Sequence, residues 1–300
     1  MSKKNQSEQE LHLRIQELEA ELLIKNQELL RYQQELKKTN SSLEELIVDI
    51  SQELKLAGLV QKILSPTEIP NIPGIEFSTK FVPGTQSGGD YFDIFEHDDR
   101  LKFGIILASS SGYTMSALFL SVLMKLSAQI EARKGLEPDK VIRLMANEIV
   151  PHIQKQDTAS LFYAVIDRRN YELKYSSVGS ILGVLQATGQ ENPSWLQPCT
   201  GPLRKNYDEN PLTDTISLNS RDRVILCTEG VWNSISDGES FGKDRVMKSI
   251  LRAPRSGVHE VRNEILYQVE KFTQTSEPKR DQTVIVTEVR DRVIKLAKKS

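Results

Sequence analysis

The sequence lacks the features that mark secreted, membrane-spanning or nucleic-acid-binding proteins. Only two cysteines, Cys199 and Cys227, occur in 300 residues, and their spacing fits neither a disulfide framework nor a zinc site. Apolar runs fall well short of the roughly 20 residues that span a bilayer, and the N-terminus has no signal-peptide core. The 39 basic and 41 acidic residues leave a net charge of only −2, which does not favour nucleic acid as a partner. We therefore expect a cytoplasmic protein without a membrane span.

The N-terminal region also lacks helix breakers, because no proline or glycine precedes Gly58. This absence favours one continuous helix of about 50 residues. An apolar residue recurs at every seventh position from Ile15 to Ala57, and a second apolar series accompanies it less regularly. Such a pattern is typical of a coiled coil. The residues expected to form its dimerisation seam are Ile15, Leu18, Leu22, Leu29, Leu36, Leu43, Leu46 and Ile50.

Charges beside the seam favour a parallel homodimer over an antiparallel one. One flanking position is mostly acidic, with Glu21, Glu28 and Glu35, and the position that faces it in a parallel pair carries mostly amides. Antiparallel pairing would set acid against acid, at a cost of a few tenths of a kcal/mol per pair by analogy with pairs on a helix surface. A lone solvated helix and an intramolecular hairpin remain as alternatives.

After this helix the sequence changes to short apolar segments separated by turns, and this change predicts a separate globular domain. Residues 1–60 are assigned to the helix, 61–74 to a linker rich in proline, 75–290 to the domain and 291–300 to a basic tail. Strands and helix pairs alternate in a way that favours an α+β sandwich of two mainly antiparallel sheets flanked by helices. The predicted strands lie near residues 75–81, 91–96, 101–108, 160–166, 173–177, 181–185, 223–227 and 283–289, and the predicted helices cover residues 115–133, 138–154, 243–251 and 258–273.

Six short motifs occur in an order that carries a family resemblance. They are Leu64-Ser65-Pro66, Gly88-Gly89-Asp90-Tyr91-Phe92-Asp93, Ser111-Gly112, Thr228-Glu229-Gly230, Phe241-Gly242 and Asp281-Gln282-Thr283. Together they resemble the SpoIIE/RsbU-type serine phosphatases of the metal-dependent, protein phosphatase 2C superfamily, over about residues 57–290. The resemblance implies an αββα sandwich with two Mn²⁺ or Mg²⁺ ions between the sheets. It also implies a metal-activated water that attacks a phosphoserine or phosphothreonine, usually on a STAS-domain regulator in a sigma-factor partner switch.

The metal-ligand positions that the resemblance implies are mostly substituted in this chain. The acid of the Gly-Gly-Asp motif is kept as Asp90, with Asp93 beside it, whereas the next three positions hold Ser109, Glu229 and Arg280. The four positions carry a net charge of −1 in place of −4. Two divalent cations need several carboxylates, and a guanidinium stays protonated and cannot ligate a cation. We therefore expect no cofactor, with Mn²⁺ or Mg²⁺ only if the protein is active.

Two of these positions leave alternatives open. Arg280 is expected to fill the vacated space and pair with Asp90 or Glu229. Asp281 restores the missing carboxylate only if the chain shifts by one residue, because neighbouring side chains of the following strand point to opposite faces. The remnant metal set is thus Asp90, Asp93, Glu229 and Asp281.

A serine run at residues 109–111 precedes the helix predicted to begin at Met115. Its hydroxyls either cap that helix or bind a phosphate at the helix N-terminus.

Three functions are compatible with the sequence. The first is a dimeric pseudophosphatase that binds a phosphorylatable partner, such as a STAS-type regulator, without hydrolysing it. The second is an active serine/threonine phosphatase whose remnant acids hold a rearranged or single-metal site. The third is a coiled-coil adaptor whose globular head only packs against another protein.

Overall fold

The computed structural model describes residues 2–64, 69–85, 89–112, 114–197, 200–255 and 257–290; within these, it leaves undescribed the side chains of residues 2–13, 15–17, 50–64 and 114–115. The chain divides into two compact units, Met1–Gly58 and Leu59–Ser300. Within the described residues, no helix combines the length and the apolarity that a membrane crossing requires.

Helix α1, Ser2–Leu64, is a single uninterrupted helix of 63 residues, about 95 Å long at 1.5 Å per residue. It continues past Gly58 and four residues into the predicted linker. Six predicted seam residues have described side chains, and these are between 49% and 66% exposed; the side chains of Ile15 and Ile50 lie outside the described set. These six side chains are therefore about half exposed or more, and the homodimer remains a prediction. The six described seam residues are Leu18, Leu22, Leu29, Leu36, Leu43 and Leu46.

In the described part of the second unit there are two five-stranded antiparallel sheets, a small hairpin and five α-helices. The strands are β1 Ile75–Val82, β2 Asp90–Glu96, β3 Lys102–Ser111, β4 Thr158–Asp167, β5 Glu172–Val178, β6 Leu182–Gln186, β7 Ser194–Leu196, β8 Asp214–Ser217, β9 Arg223–Cys227, β10 Ile235–Ser236, β11 Glu239–Ser240 and β12 Gln282–Val289. The helices are α2 Thr114–Glu131, α3 Pro138–Ile149, α4 Glu229–Trp232, α5 Gly242–Arg252 and α6 Val258–Thr273. Sheet I has the order β1-β12-β9-β6-β7, and sheet II has the order β2-β3-β4-β5-β8.

Three apolar clusters hold these layers together. The central cluster joins the facing sides of the sheets, with Phe92 and Leu107 from sheet II and Leu226 and Ile285 from sheet I. A second cluster packs α2 and α3 on the outer face of sheet II, and a third packs α5 and α6 on the outer face of sheet I. Every residue of β12 is buried, as expected for a strand covered on both faces. The αββα sandwich predicted from the sequence is confirmed.

Each strand and helix predicted for this unit is present, with shifted ends. The short strands β7 and β8, the β10–β11 hairpin and the single-turn helix α4 were not predicted, because two to four residues are too few to show periodicity. The start of β2, the end of β3, helix α4 and the two residues that precede β12 contribute to the lining of one small cavity. That cavity is where the substituted metal-ligand positions lie.

Candidate functional site

Asp90, the first residue of β2, lies at the centre of the candidate site and is buried. Residues Asp90 and Ser109 face each other in the register of β2 and β3, and the Ser109 hydroxyl donates to Oδ1 of Asp90 at 2.6 Å. The Thr283 hydroxyl from sheet I donates to Oδ2 at 2.8 Å. Both oxygens of this carboxyl group thus already accept hydrogen bonds from side chains of the two sheets.

Asp281 is also buried, and it is bound by main-chain amides. Its Oδ1 accepts from the amide of Gly84 at 2.7 Å, and its Oδ2 accepts from the amides of Gly89 at 2.9 Å and Asp90 at 3.2 Å. Backbone N–H groups are strong donors that must be paired when buried. Asp281 therefore anchors the chain that leads into β2, and its oxygens are directed at that backbone.

The pKa of the Asp90 carboxyl group is raised to about 7. Burial is the largest cause, since it disfavours the charged form, and the negative charge of Asp281 adds to it. Hydrogen bonds from Ser109, Thr228 and Thr283 act in the opposite direction. The two neighbouring acids thus share a buried environment that lacks a compensating cation in direct contact with Asp90 among the described residues.

Glu229 and Arg280 form an ion pair at the edge of this cluster. Glu229 is the first residue of α4, and its Oε1 accepts from Nη1 of Arg280 at 2.9 Å. The same oxygen accepts from the Asn233 amide at 2.9 Å, and Oε2 accepts from the Ser180 hydroxyl at 3.0 Å. The Arg280 side chain is 47% exposed. Of the two partners expected for Arg280 from the sequence, the guanidinium contacts Glu229.

The serine run at residues 109–111 belongs to the end of β3. The Ser110 hydroxyl donates to the carbonyl oxygen of Ala117 at 2.6 Å, and the hydroxyls of Ser111 and Thr158 are 2.5 Å apart. Since Ser109 donates to Asp90, all three serine hydroxyls already have partners inside the protein. These hydrogen bonds indicate that the three hydroxyls stabilise the local structure and favour that role over phosphate binding.

The cavity among these residues has a volume of about 20 Å³, which is enough for one water molecule. Its lining includes Asp90, Ser109, Glu229, Arg280 and Asp281. No group of three or more histidine, cysteine or acidic side chains arranged to hold a metal ion occurs in the part of the chain that is described. Each nearby carboxylate is bound by a hydroxyl, an amide or Arg280, so these residues do not fit a binuclear Mn²⁺ or Mg²⁺ centre.

Asp93 lies on the opposite face of β2 from Asp90, which corrects its inclusion in the predicted site. Neighbouring strand residues alternate between faces, so side chains three positions apart point in opposite directions. Asp93 accepts from the amide of Ile94 at 2.9 Å and from the Tyr91 hydroxyl at 3.4 Å. Its pKa is raised by burial, and the positive charge of Arg133 opposes this shift. Asp93 thus belongs to the face of sheet II that α2 and α3 cover.

Three polar residues support the site but were absent from the predicted set. Thr283 holds Asp90, whereas Ser180 and Asn233 hold Glu229. The sequence contained an indication of two of them: Thr283 lies in the last motif, and Asn233 stands four residues after Glu229, at helical spacing.

Comparison with known proteins identifies the family. The model of the family Stage II sporulation protein E (SpoIIE) matches residues 99–290, a span that begins after Asp90. Phosphoserine phosphatase RsbU of Bacillus subtilis (strain 168) is 21% identical over 186 residues, which cover 61% of this chain and 54% of RsbU. The chain therefore spans about half the length of this relative.

Solved structures with a similar fold include the SiaA-PP2C domain of Pseudomonas aeruginosa, with a TM-score of 0.65, 16% identity and coverage of 81% of this chain and 97% of that one. The Mycobacterium tuberculosis phosphatase PstP is also similar. Its catalytic domain in complex with two manganese ions gives a TM-score of 0.53 at 13% identity, covering 72% of this chain and 99% of that one. At these identities the likeness concerns the fold alone. Because the family model matches more than half of the sequence, this chain belongs to the SpoIIE family and has a PP2C-type phosphatase fold.

Proposed function

We propose that this protein is a regulatory pseudophosphatase that binds a phosphorylatable partner protein and does not hydrolyse its phosphate. The observation that carries this proposal is the ion pair between Arg280 and Glu229, with 2.9 Å between Nη1 and Oε1. In the resembling family both positions hold metal-binding acids. Here the permanently charged Arg280 stands at one of the two positions and pairs with Glu229 at the other.

Electrostatics supports the same conclusion. Two divalent ions bring a charge of +4 that several carboxylates must offset, and Arg280 adds a further positive charge that cannot be removed by deprotonation. Asp90 is held by two hydroxyls and Asp281 by three backbone amides. A metal would have to displace these hydrogen bonds and the arginine before it could reach the acids.

The partner proposed is a phosphorylated STAS-type regulator, as the family resemblance implies. Arg280 is half-exposed and uses one N–H group for Glu229. A guanidinium suits phosphate because its planar N–H groups donate in pairs. Arg280 can therefore contact a partner's phosphate at the mouth of the cleft. Hydrolysis does not follow, because the guanidinium and its ion pair with Glu229 do not suit the metal centre that would activate a water. On the same family resemblance, we propose that the protein acts in the cytoplasm, in sigma-factor signalling.

The protein is further proposed to act as a homodimer through a parallel coiled coil of α1. Its predicted seam presents six leucines that are each about half exposed or more, and burying a leucine contributes about 1.5–3 kcal/mol. A helix with such a stripe is stabilised by packing against another helix.

The back-substituted variant Ser109→Asp/Glu229→Asp/Arg280→Asp tests the pseudophosphatase proposal. It restores the acid at every substituted position, so we expect it to bind Mn²⁺ in a calorimetric titration that gives no heat with the natural protein. Without metal the clustered acids should repel one another, and Mn²⁺ should then raise the midpoint of thermal unfolding.

A control variant with the same three exchanges at exposed positions, Ser194→Asp/Glu191→Asp/Arg100→Asp, should leave both measurements unchanged. A folded back-substituted protein that takes up no Mn²⁺ would contradict our placement of the site. Strong Mn²⁺ uptake by the natural protein would contradict the proposed function itself.

An active phosphatase with a single-metal site is the second candidate. The observation that favours it is the close pairing of Asp90 and Asp281, whose charges influence each other, beside a cavity of about 20 Å³. A single metal ion could be coordinated by both Asp90 and Asp281 if Asp281 lost its hydrogen bonds with the backbone amides that precede and begin β2. Metal-dependent turnover that is lost in Asp90→Ala would support this candidate over the first.

A further inference from the structure

A concave groove between α5 and α6, on the outer side of sheet I, has a volume of about 370 Å³. This volume lies within the range of sites that bind small ligands or a few peptide side chains. The groove shares no lining residue with the cleft around Asp90. We call it the α5–α6 groove, and the lining residues that determine its chemistry are Phe241, Arg245, Lys248, Arg252, Lys271 and Phe272.

The charge of the α5–α6 groove is of one sign. Among the described residues that line it, four side chains are cationic and none is acidic. Arg245, Lys248 and Arg252 follow one another at helical spacing and so lie on one face of α5, and Lys271 faces them from α6. Lys248, Arg252 and Lys271 are exposed and form no ion pair with any residue in the described ranges. Three positive charges thus remain available to a ligand.

The floor of the groove is aromatic and held in place. Phe241 and Phe272 contact each other edge to face with ring centroids 5.6 Å apart. The Arg245 guanidinium lies over the Phe272 ring at 4.8 Å. That guanidinium also donates to the carbonyl oxygens of Ser240 and Phe241 and pairs with Glu239 at 3.1 Å. Such a fixed surface binds a ligand with little loss of its own conformational freedom.

We propose that the α5–α6 groove binds an acidic peptide segment of a partner protein. Carboxylates of the segment pair with Lys248, Arg252 and Lys271, and an aromatic or aliphatic side chain packs on Phe272 beside Arg245. Clusters of basic residues are a recurring means of recognising acidic motifs. This inference goes beyond the proposed function, because it concerns a second surface with its own ligand chemistry.

A peptide suits the groove better than nucleic acid or an anionic membrane. Those polyanions are recognised by extended basic stripes or patches on chains of high positive charge, whereas this chain has a net charge of −2. The groove is a bounded concavity with an aromatic floor. Its chemistry therefore matches a short segment that combines carboxylates with one apolar side chain.

Fluorescence anisotropy of a labelled oligoglutamate peptide with one central phenylalanine, titrated with the full-length protein, tests this proposal. We compare the natural protein with Lys248→Gln/Arg252→Gln/Lys271→Gln. Each exposed ion pair contributes modestly to binding, and losing three should weaken it about tenfold. Added salt should weaken binding to the natural protein as well.

A matched control removes three exposed lysines elsewhere, in Lys140→Gln/Lys155→Gln/Lys205→Gln, and should bind the peptide as the natural protein does. Equal binding by the groove variant and this control would overturn the proposal. Equal binding of a peptide with serine in place of phenylalanine would overturn the role of the aromatic floor. Tighter binding of heparin or of phosphatidylserine vesicles than of the peptide, lost in the groove variant, would show that the occupant is of another class.

Discussion

Asp90→Asn should make the protein more stable at neutral and alkaline pH. The pKa of the Asp90 carboxyl group is raised to about 7 in the folded protein, first by burial and then by the charge of Asp281. In the unfolded chain an aspartate has a pKa of about 3.9. Between these values the folded state holds a proton that the unfolded state releases. The free energy of unfolding therefore decreases as pH rises through this range.

The size of the effect follows from the shift in pKa. One pH unit corresponds to about 1.4 kcal/mol, so a shift of about three units gives a ceiling of about 4 kcal/mol. Asparagine cannot ionise, and like the protonated acid it presents one acceptor oxygen and one donor. One of the two hydroxyls that now donate to Asp90, those of Ser109 and Thr283, must then accept, which a hydroxyl can do. The variant and the natural protein should therefore have similar stability near pH 4, and the variant should gain stability relative to the natural protein as pH rises toward about 8.

Urea denaturation followed by circular dichroism, at several pH values and with a chelator in every buffer, measures this difference. Asp208→Asn, at an exposed position, is the control and should follow the natural protein at each pH. Parallel stability profiles for the natural protein and Asp90→Asn would contradict a raised pKa, because they would mean that Asp90 ionises in the folded protein as it does in water.

Three further predictions concern packing, a buried ion pair and the long helix. Gly230→Ala should lower the free energy of unfolding by about 1–3 kcal/mol, because the added Cβ would lie 1.9 Å from the carbonyl oxygen of Asp281. The control Gly201→Ala, whose Cβ would have its nearest neighbour at 3.4 Å, should change the free energy of unfolding little. Urea denaturation compares the two variants, and equal effects would contradict the close approach of Gly230 to Asp281. Arg223→Met should lower the free energy of unfolding by about 3 kcal/mol, because it removes the 2.7 Å partner of the buried Glu288. A loss below about 1 kcal/mol in the same assay would mean that Arg221 and Arg290, each 3.4 Å from Glu288, suffice to pair with it. Removal of residues 1–56 should yield a monomer in light scattering, and a dimer of unchanged stoichiometry would assign the interface to the globular unit.

The sequence predicted the helices and strands of the fold because the spacing of apolar residues differs between these kinds of element. The seven-residue repeat predicted α1, and short apolar runs separated by turns predicted the long strands, whose buried faces form the central cluster. It did not predict that α1 continues to Leu64, past a glycine that destabilises a helix without ending it. The proposed dimer concerns a second chain and is therefore left to experiment.

The site was predicted in part, since motifs place residues along the chain but do not fix the direction of their side chains. The loss of acids at positions 109 and 280 was evident from the sequence, and so was a pairing of Arg280 with a remaining acid. Asp93 was wrongly included in the set of metal ligands. It is close to Asp90 in the motif, but side chains three positions apart on a strand point to opposite faces of the sheet. Asp281 binds amides of residues nearly two hundred positions away in the chain, and only the folded structure brings them together.

Mn²⁺-dependent hydrolysis of a small aryl phosphate, measured beside Asp90→Ala and with a calorimetric Mn²⁺ titration, shows whether this protein is a pseudophosphatase. We expect no turnover and no metal uptake by the natural protein, because Arg280 and the existing hydrogen bonds already satisfy the remaining acids. Metal-dependent turnover that disappears in Asp90→Ala would contradict it and would make this protein an enzyme with an altered set of ligands.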